Sequence, residues 1–170
     1  SEALYLRDPE GNGVEVYCDR PRTEWPTRDG RVEMDTLALD LNSLREVAGD
    51  PGTGVPVGTD VGHVPLEVTD LRAARAFYVD TLGLDTRQEW DRALFVAAGG
   101  YHHHVGLNTW NGRSTPAGGQ GIAWFELQIP AESFPAVVGR IDDAGVGVEE
   151  TTRGVAVTDP DGIGVRLRRA

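Results

Sequence analysis

Two stretches of this sequence share a turn and differ in one charged residue. Asp8-Pro9-Glu10-Gly11-Asn12-Gly13-Val14-Glu15-Val16-Tyr17 is echoed by Asp159-Pro160-Asp161-Gly162-Ile163-Gly164-Val165-Arg166-Leu167, which sets Glu15 against Arg166. A carboxylate can ligate a metal ion, whereas a guanidinium has donors only and no lone pair to give. Glu15 is therefore either a ligand or an exposed strand carboxylate. Arg166 either binds an anionic ligand or pairs with Glu67 or Glu126 across a sheet. The histidines are His63, in Gly62-His63-Val64, and the run His102-His103-His104. Strand alternation would put His102 and His104 on one face and His103 on the other. Neutral imidazoles can hold a divalent ion such as Zn or Ni. The same side chains, with Tyr101 and Asn108, could instead form a structural hydrogen-bond network. Trp110 and Trp124 could pack or stack a flat ring.

The elements that would position these residues follow from periodicity. Alternating runs flank both Asp-Pro-x-Gly turns, in which proline fixes φ, Asp bonds the following backbone and glycine accepts a positive φ. Each copy thus reads as strand, turn, strand. An isolated hairpin is marginal in water. Residues 1–18 are accordingly expected to be the last β-hairpin of an incomplete N-terminal domain. Residues 19–58, with several prolines and little periodicity, read as a linker containing a short helix at 41–47 and a break at 49–54. From residue 59 to 170 the order strand, helix, three strands occurs twice. The first helix is capped by Asp70 and ended by Gly83, and the second ends at Gly145. Offsetting one unit on the other sets His63 opposite Trp124, and His104 opposite Arg166 if one residue is gapped.

A formal charge of -11 leaves no basic face for nucleic acid. The sequence has no apolar run long enough for a membrane span, and cytoplasmic residence is the expectation. With Cys18 the single cysteine, no intrachain disulfide can form, and the thiol reads as inert packing.

The paired units, with Gly62-His63 on the opening strand, Ala76-Phe77-Tyr78 and Leu82-Gly83-Leu84 around the helix end, and the closing Asp-Pro-Asp-Gly hairpin, resemble the vicinal oxygen chelate superfamily. That superfamily contains glyoxalase I, bleomycin-resistance proteins and type I extradiol dioxygenases. The first hairpin with Asp19-Arg20-Pro21, and Gly100-Tyr101-His102-His103-His104-Val105-Gly106-Leu107-Asn108-Thr109-Trp110, are similar to the C-terminal part of two-domain catechol 2,3-dioxygenase-like proteins. The resemblance implies an α+β fold in which paired βαβββ units curl a mixed sheet into a cup. It implies Fe(II) held by two His and one Glu, with open positions for a catecholate and O2.

Carried onto this sequence, Glu15 matches the carboxylate ligand, and its His partners would lie upstream of Ser1. In the second cup His63 and His104 match ligand positions, while Trp124 stands where a His belongs and Arg166 where the carboxylate belongs. His102, Asn108, Trp124 and Arg166 would line that cup. The expected function is extradiol cleavage of a small aromatic substrate, with this chain mainly the non-catalytic C-terminal domain and inactive alone. Alternatives are a bleomycin-resistance-type binding module and, third, a glyoxalase-type lyase. The uncovered hairpin implies a homodimer or strand exchange.

Overall fold

The computed structural model describes residues 1–170 except 30, 51, 53 and 120, so Pro51 and Thr53 of the expected break lie outside the described residues. The chain divides into two compact units, Ser1–Val61 and Gly62–Ala170.

The first unit opens with the antiparallel pair β1 (Glu2–Arg7) and β2 (Gly13–Cys18). Asp8 closes the turn by accepting from the backbone N–H of Glu10 and Asn12 and from the Asn12 amide at 2.8–2.9 Å, and Gly11 supplies φ +88°. These bonds, the Asn12 side chain first, hold the Asp8 carboxyl below its ordinary value. The expected linker is not featureless. It contains a 3-10 turn at Arg22–Glu24 and the short pair β3 (Thr27–Arg28) and β4 (Arg31–Val32). Helix α1 spans Leu41–Val47, with the Asp40 side chain accepting from the N–H groups of Asn42 and Ser43. Cys18 is exposed rather than packed, because its strand position faces out at the hairpin's end.

The second unit repeats one topology. Strand β5 (Val64–Glu67) leads through α2 (Leu71–Arg75) into β6 (Asp85–Trp90), β7 (Ala93–Ala97) and β8 (Val105–Asn108), in sheet order β5-β8-β7-β6. Then β9 (Trp124–Ile129), α3 (Phe134–Asp143), β10 (Glu149–Thr151), β11 (Gly154–Thr158) and β12 (Gly164–Arg169) form the order β10-β11-β12-β9. In each unit the first strand pairs in parallel with the last, and the others are antiparallel. Alternate residues of both sheets, among them Leu66, Leu94, Val105, Leu107, Val155, Val165 and Leu167, join Phe77, Val137 and Ile141 of the helices in one buried cluster.

Two contacts fasten the units together. Past Arg75 the first helix widens into a π turn over Ala76–Thr81, where the Leu82 N–H reaches the Phe77 carbonyl five residues back. That turn carries the buried Tyr78, whose hydroxyl donates to Asp159 at 2.8 Å. Burial, then the charge of Asp159, pushes the phenol's pKa upward. Asp159 also accepts from the N–H groups of Asp161 and Ile163, and the buried Asp161 accepts from the Thr69 N–H and from Arg113. At the helix end Gly83 takes φ +83°, and Arg140 of α3 donates to the carbonyls of Thr81 and Leu82 at 3.2 and 2.9 Å.

Candidate functional site

The two Asp-Pro hairpins superpose residue for residue in register. Leu4↔Val16, Tyr5↔Glu15 and Leu6↔Val14 in the first match Val155↔Leu167, Ala156↔Arg166 and Val157↔Val165 in the second. Glu15 and Arg166 therefore hold equivalent places, with side chains on the face opposite the apolar pairs. In the second hairpin the apolar residues are buried, whereas Leu4, Leu6, Val14 and Val16 are exposed.

Glu15 has Tyr5 directly across from it. Local desolvation of the hydroxyl, then its hydrogen bond to Glu15 and the charge there, pushes the Tyr5 phenol up to about 12. The ring remains 78% exposed overall. Tyr5 was not singled out in the sequence, although counting back from the turn in hairpin register would have placed it opposite Glu15.

The histidines assemble differently from the alternation expected. His102, His103 and His104 precede β8 in an irregular turn that follows Gly99 and Gly100, both at positive φ, so period-two alternation does not apply to them. The Nδ1 atoms of His102 and His103 lie 2.8 Å apart, one ring donating and the other accepting. His63 packs against His103, with ring centroids 4.4 Å apart, and at 6.2 Å from His102. His104 turns to the other side, where its Nδ1 accepts from the Ala98 N–H at 3.2 Å and Tyr101 stacks on it. The buried pairs Val105/Leu107 and Val165/Leu167 match in register, so Gly106, and not His104, stands where Arg166 does. Phe95 and His103 lie over Gly106 in the place a side chain would take.

Asn108 takes no part with the imidazoles described. Its amide donates to the Leu66 carbonyl at 3.4 Å and its oxygen accepts from the Trp110 N–H. Trp110 is exposed rather than packed. Among the described residues no three His, Cys, Asp or Glu side chains are arranged to hold a metal ion.

Arg166 takes neither expected salt bridge. Glu67 is occupied by the backbone and side-chain nitrogens of Asn111, and Glu126 by Arg168 at 2.8 Å and Arg153 at 3.6 Å. The Arg166 guanidinium instead lies 3.6 Å over the ring of Trp124. A separate cleft of about 460 Å³, lined in part by Arg72, Arg75, Glu89 and Trp90, contains none of the residues singled out in the sequence.

A family model described as Glyoxalase/Bleomycin resistance protein/Dioxygenase superfamily matches residues 60–167. The chain belongs to this superfamily. Its doubled βαβββ topology also occurs in a glyoxalase/dioxygenase from Nostoc punctiforme, with a TM-score of 0.54 at 20% identity over 71% of this chain and 98% of that one. It occurs again in a lactoylglutathione lyase from Agrobacterium tumefaciens, with a TM-score of 0.52 at 21% identity over 68% and 96%. Likeness at that level shows the superfamily fold alone. A Bacillus subtilis (strain 168) protein named catechol-2,3-dioxygenase is 46% identical over 168 residues, which are 94% of this chain and 59% of that protein. The chain thus spans about three fifths of the length of this superfamily relative.

Proposed function

We propose that the intact protein is an extradiol dioxygenase that opens a catechol beside its hydroxyls with O2, with Fe(II) as its metal and Glu15 as the carboxylate ligand. The observation that carries the reading is the hairpin pair Tyr5 and Glu15, a carboxylate held by a phenol where the second hairpin has Ala156 and Arg166. The 46% identity to a protein named catechol-2,3-dioxygenase supports it.

The residues of this chain do not themselves compose an iron centre, since one carboxylate without converging imidazoles is not a facial triad. In this reading two His ligands come from outside residues 1–170, and the chain's own part is to orient the carboxylate. The Tyr5 hydroxyl restrains one carboxylate oxygen of Glu15, and strand pairing fixes the distance between them. Residues 1–18 are then the closing hairpin of a catalytic first domain, residues 19–58 a linker, and residues 59–170 a non-catalytic second domain. Pairing with another copy, or exchange of strands, covers the apolar side of the hairpin.

The test is an assay of the full-length protein with Fe(II) and a panel of catechols for the yellow ring-opened product. Turnover of at least one catechol is expected, with little or none from residues 1–170 alone. A full-length protein loaded with Fe(II) and inert towards every catechol in the panel overturns the reading. Light scattering on residues 1–170 is expected to show a dimer, and a monodisperse monomer would refute the pairing.

A further inference from the structure

We propose that the exposed face of the second sheet binds a small planar monocarboxylate, an aromatic or conjugated acid, with its carboxylate on Arg166 and its ring over Ala156. Glu149, Ala156, Arg166 and Glu126 lie side by side across β10, β11, β12 and β9. Of the arginines that reach this face, Arg153 and Arg168 share Glu126, and Arg168 also donates to Gln128 at 2.7 Å. Among the described residues Arg166 has no carboxylate at ion-pair distance, which leaves its charge without a counterpart in a chain of formal charge -11. A guanidinium laid on a ring keeps its N–H edge free, and that edge matches the two oxygens of a carboxylate.

Comparison of the hairpins adds the flat ring. The place occupied by the phenol of Tyr5 beside Glu15 is held by the methyl group of Ala156 beside Arg166. An incoming ring can lie there against the strand, next to the half-exposed Trp124, with its uncharged end towards Glu149. Gly164, in register with Trp124, is needed for this platform, because an added Cβ would come within 2.9 Å of the Trp124 Cβ. One uncompensated guanidinium suits a single negative charge and not a phosphate dianion, for which a cluster of cations is the usual host.

This binding needs neither metal nor Glu15, so it stands or falls independently of ring cleavage. The experiment is ligand-observed NMR titration of the metal-free chain with benzoate, cyclohexanecarboxylate and benzamide. Saturable millimolar binding of benzoate is expected, with weaker binding of cyclohexanecarboxylate and none of benzamide. Arg166→Gln should weaken benzoate by about tenfold or more. Ala156→Tyr, which restores the other hairpin's ring while keeping the charge, should abolish binding with the thermal transition unchanged. No saturation by benzoate, equal affinity for benzamide, or undiminished binding by a folded Arg166→Gln or Ala156→Tyr variant would each overturn the proposal.

Discussion

Tyr5 stands opposite Glu15 across β1 and β2 in the register that Ala156 and Arg166 keep across β11 and β12. One backbone motif thus presents a phenol and a carboxylate in one place, and a methyl group and a guanidinium in the other. The face of a hairpin turned away from its apolar residues is free to change chemistry, because turn and packing are specified by other positions.

Titration of Tyr5 checks this pairing directly. The ultraviolet titration of the wild type minus that of Tyr5→Phe should isolate one phenol with a midpoint near about 12, above its ordinary 10.0. In Glu15→Gln the midpoint should fall towards 10.0, since the charge and the charged hydrogen bond are gone while the local desolvation remains. With its folded value raised, the pair's contribution to hairpin stability is complete below 10.0 and is lost as pH climbs to about 12. An unmoved midpoint in Glu15→Gln would show that the two side chains do not interact.

Tyr78→Phe should destabilise the second unit by about 1.5–3 kcal/mol, the range for a hydrogen bond to a charged group whose acceptor stays buried. Chemical denaturation measures this, and Asp159→Asn should cost at least as much because that carboxylate also holds two backbone N–H groups. A Tyr78→Phe variant as stable as the wild type would mean that the clasp between units carries no free energy.

Gly83→Ala should cost about 1–3 kcal/mol from left-handed backbone strain alone. It should also displace Arg140, whose guanidinium fills the space a Cβ would enter. Arg140→Met on its own leaves two helix-end carbonyls without their donor, at about 1 kcal/mol. Combined, the two substitutions should cost less than the sum of the singles, as both act on one contact. Strict additivity in the double-mutant cycle would separate glycine from arginine.

In the full-length protein, Glu15→Ala should lower ring cleavage by about a hundredfold or more, together with iron content by elemental analysis. His63→Ala should leave both near the wild-type level. The opposite pattern would assign the catalytic half to the second domain.

The doubled fold was legible in the sequence because apolar alternation, the Asp70 cap and the glycine stops all agreed. Helix α1 lies on the residues its pattern indicated. The equivalence of Glu15 and Arg166 was also legible, since the shared turn fixes it. What periodicity could not give was the path of Tyr101 to His104, where two glycines in the left-handed region break the alternation before β8 begins. Three histidines in a row look like a strand in one dimension, yet here they divide between His63 on one side and Ala98 on the other. The partner of Arg166 was equally hidden, because choosing among Glu67, Glu126 and Trp124 depends on which carboxylates other cations already occupy.

The widened turn at Ala76–Thr81 amounts to a one-residue surplus inside a helix. Trimming that surplus would restore ordinary pitch and swing the segment on either side of it by about 100° relative to the other. Tyr78 would then point away from Asp159, and the helix end away from Arg140. Residue count in this segment is therefore frozen even where side chains such as Asp80 are open to substitution, and shortened variants should fail for a reason that no scan of point mutants would disclose.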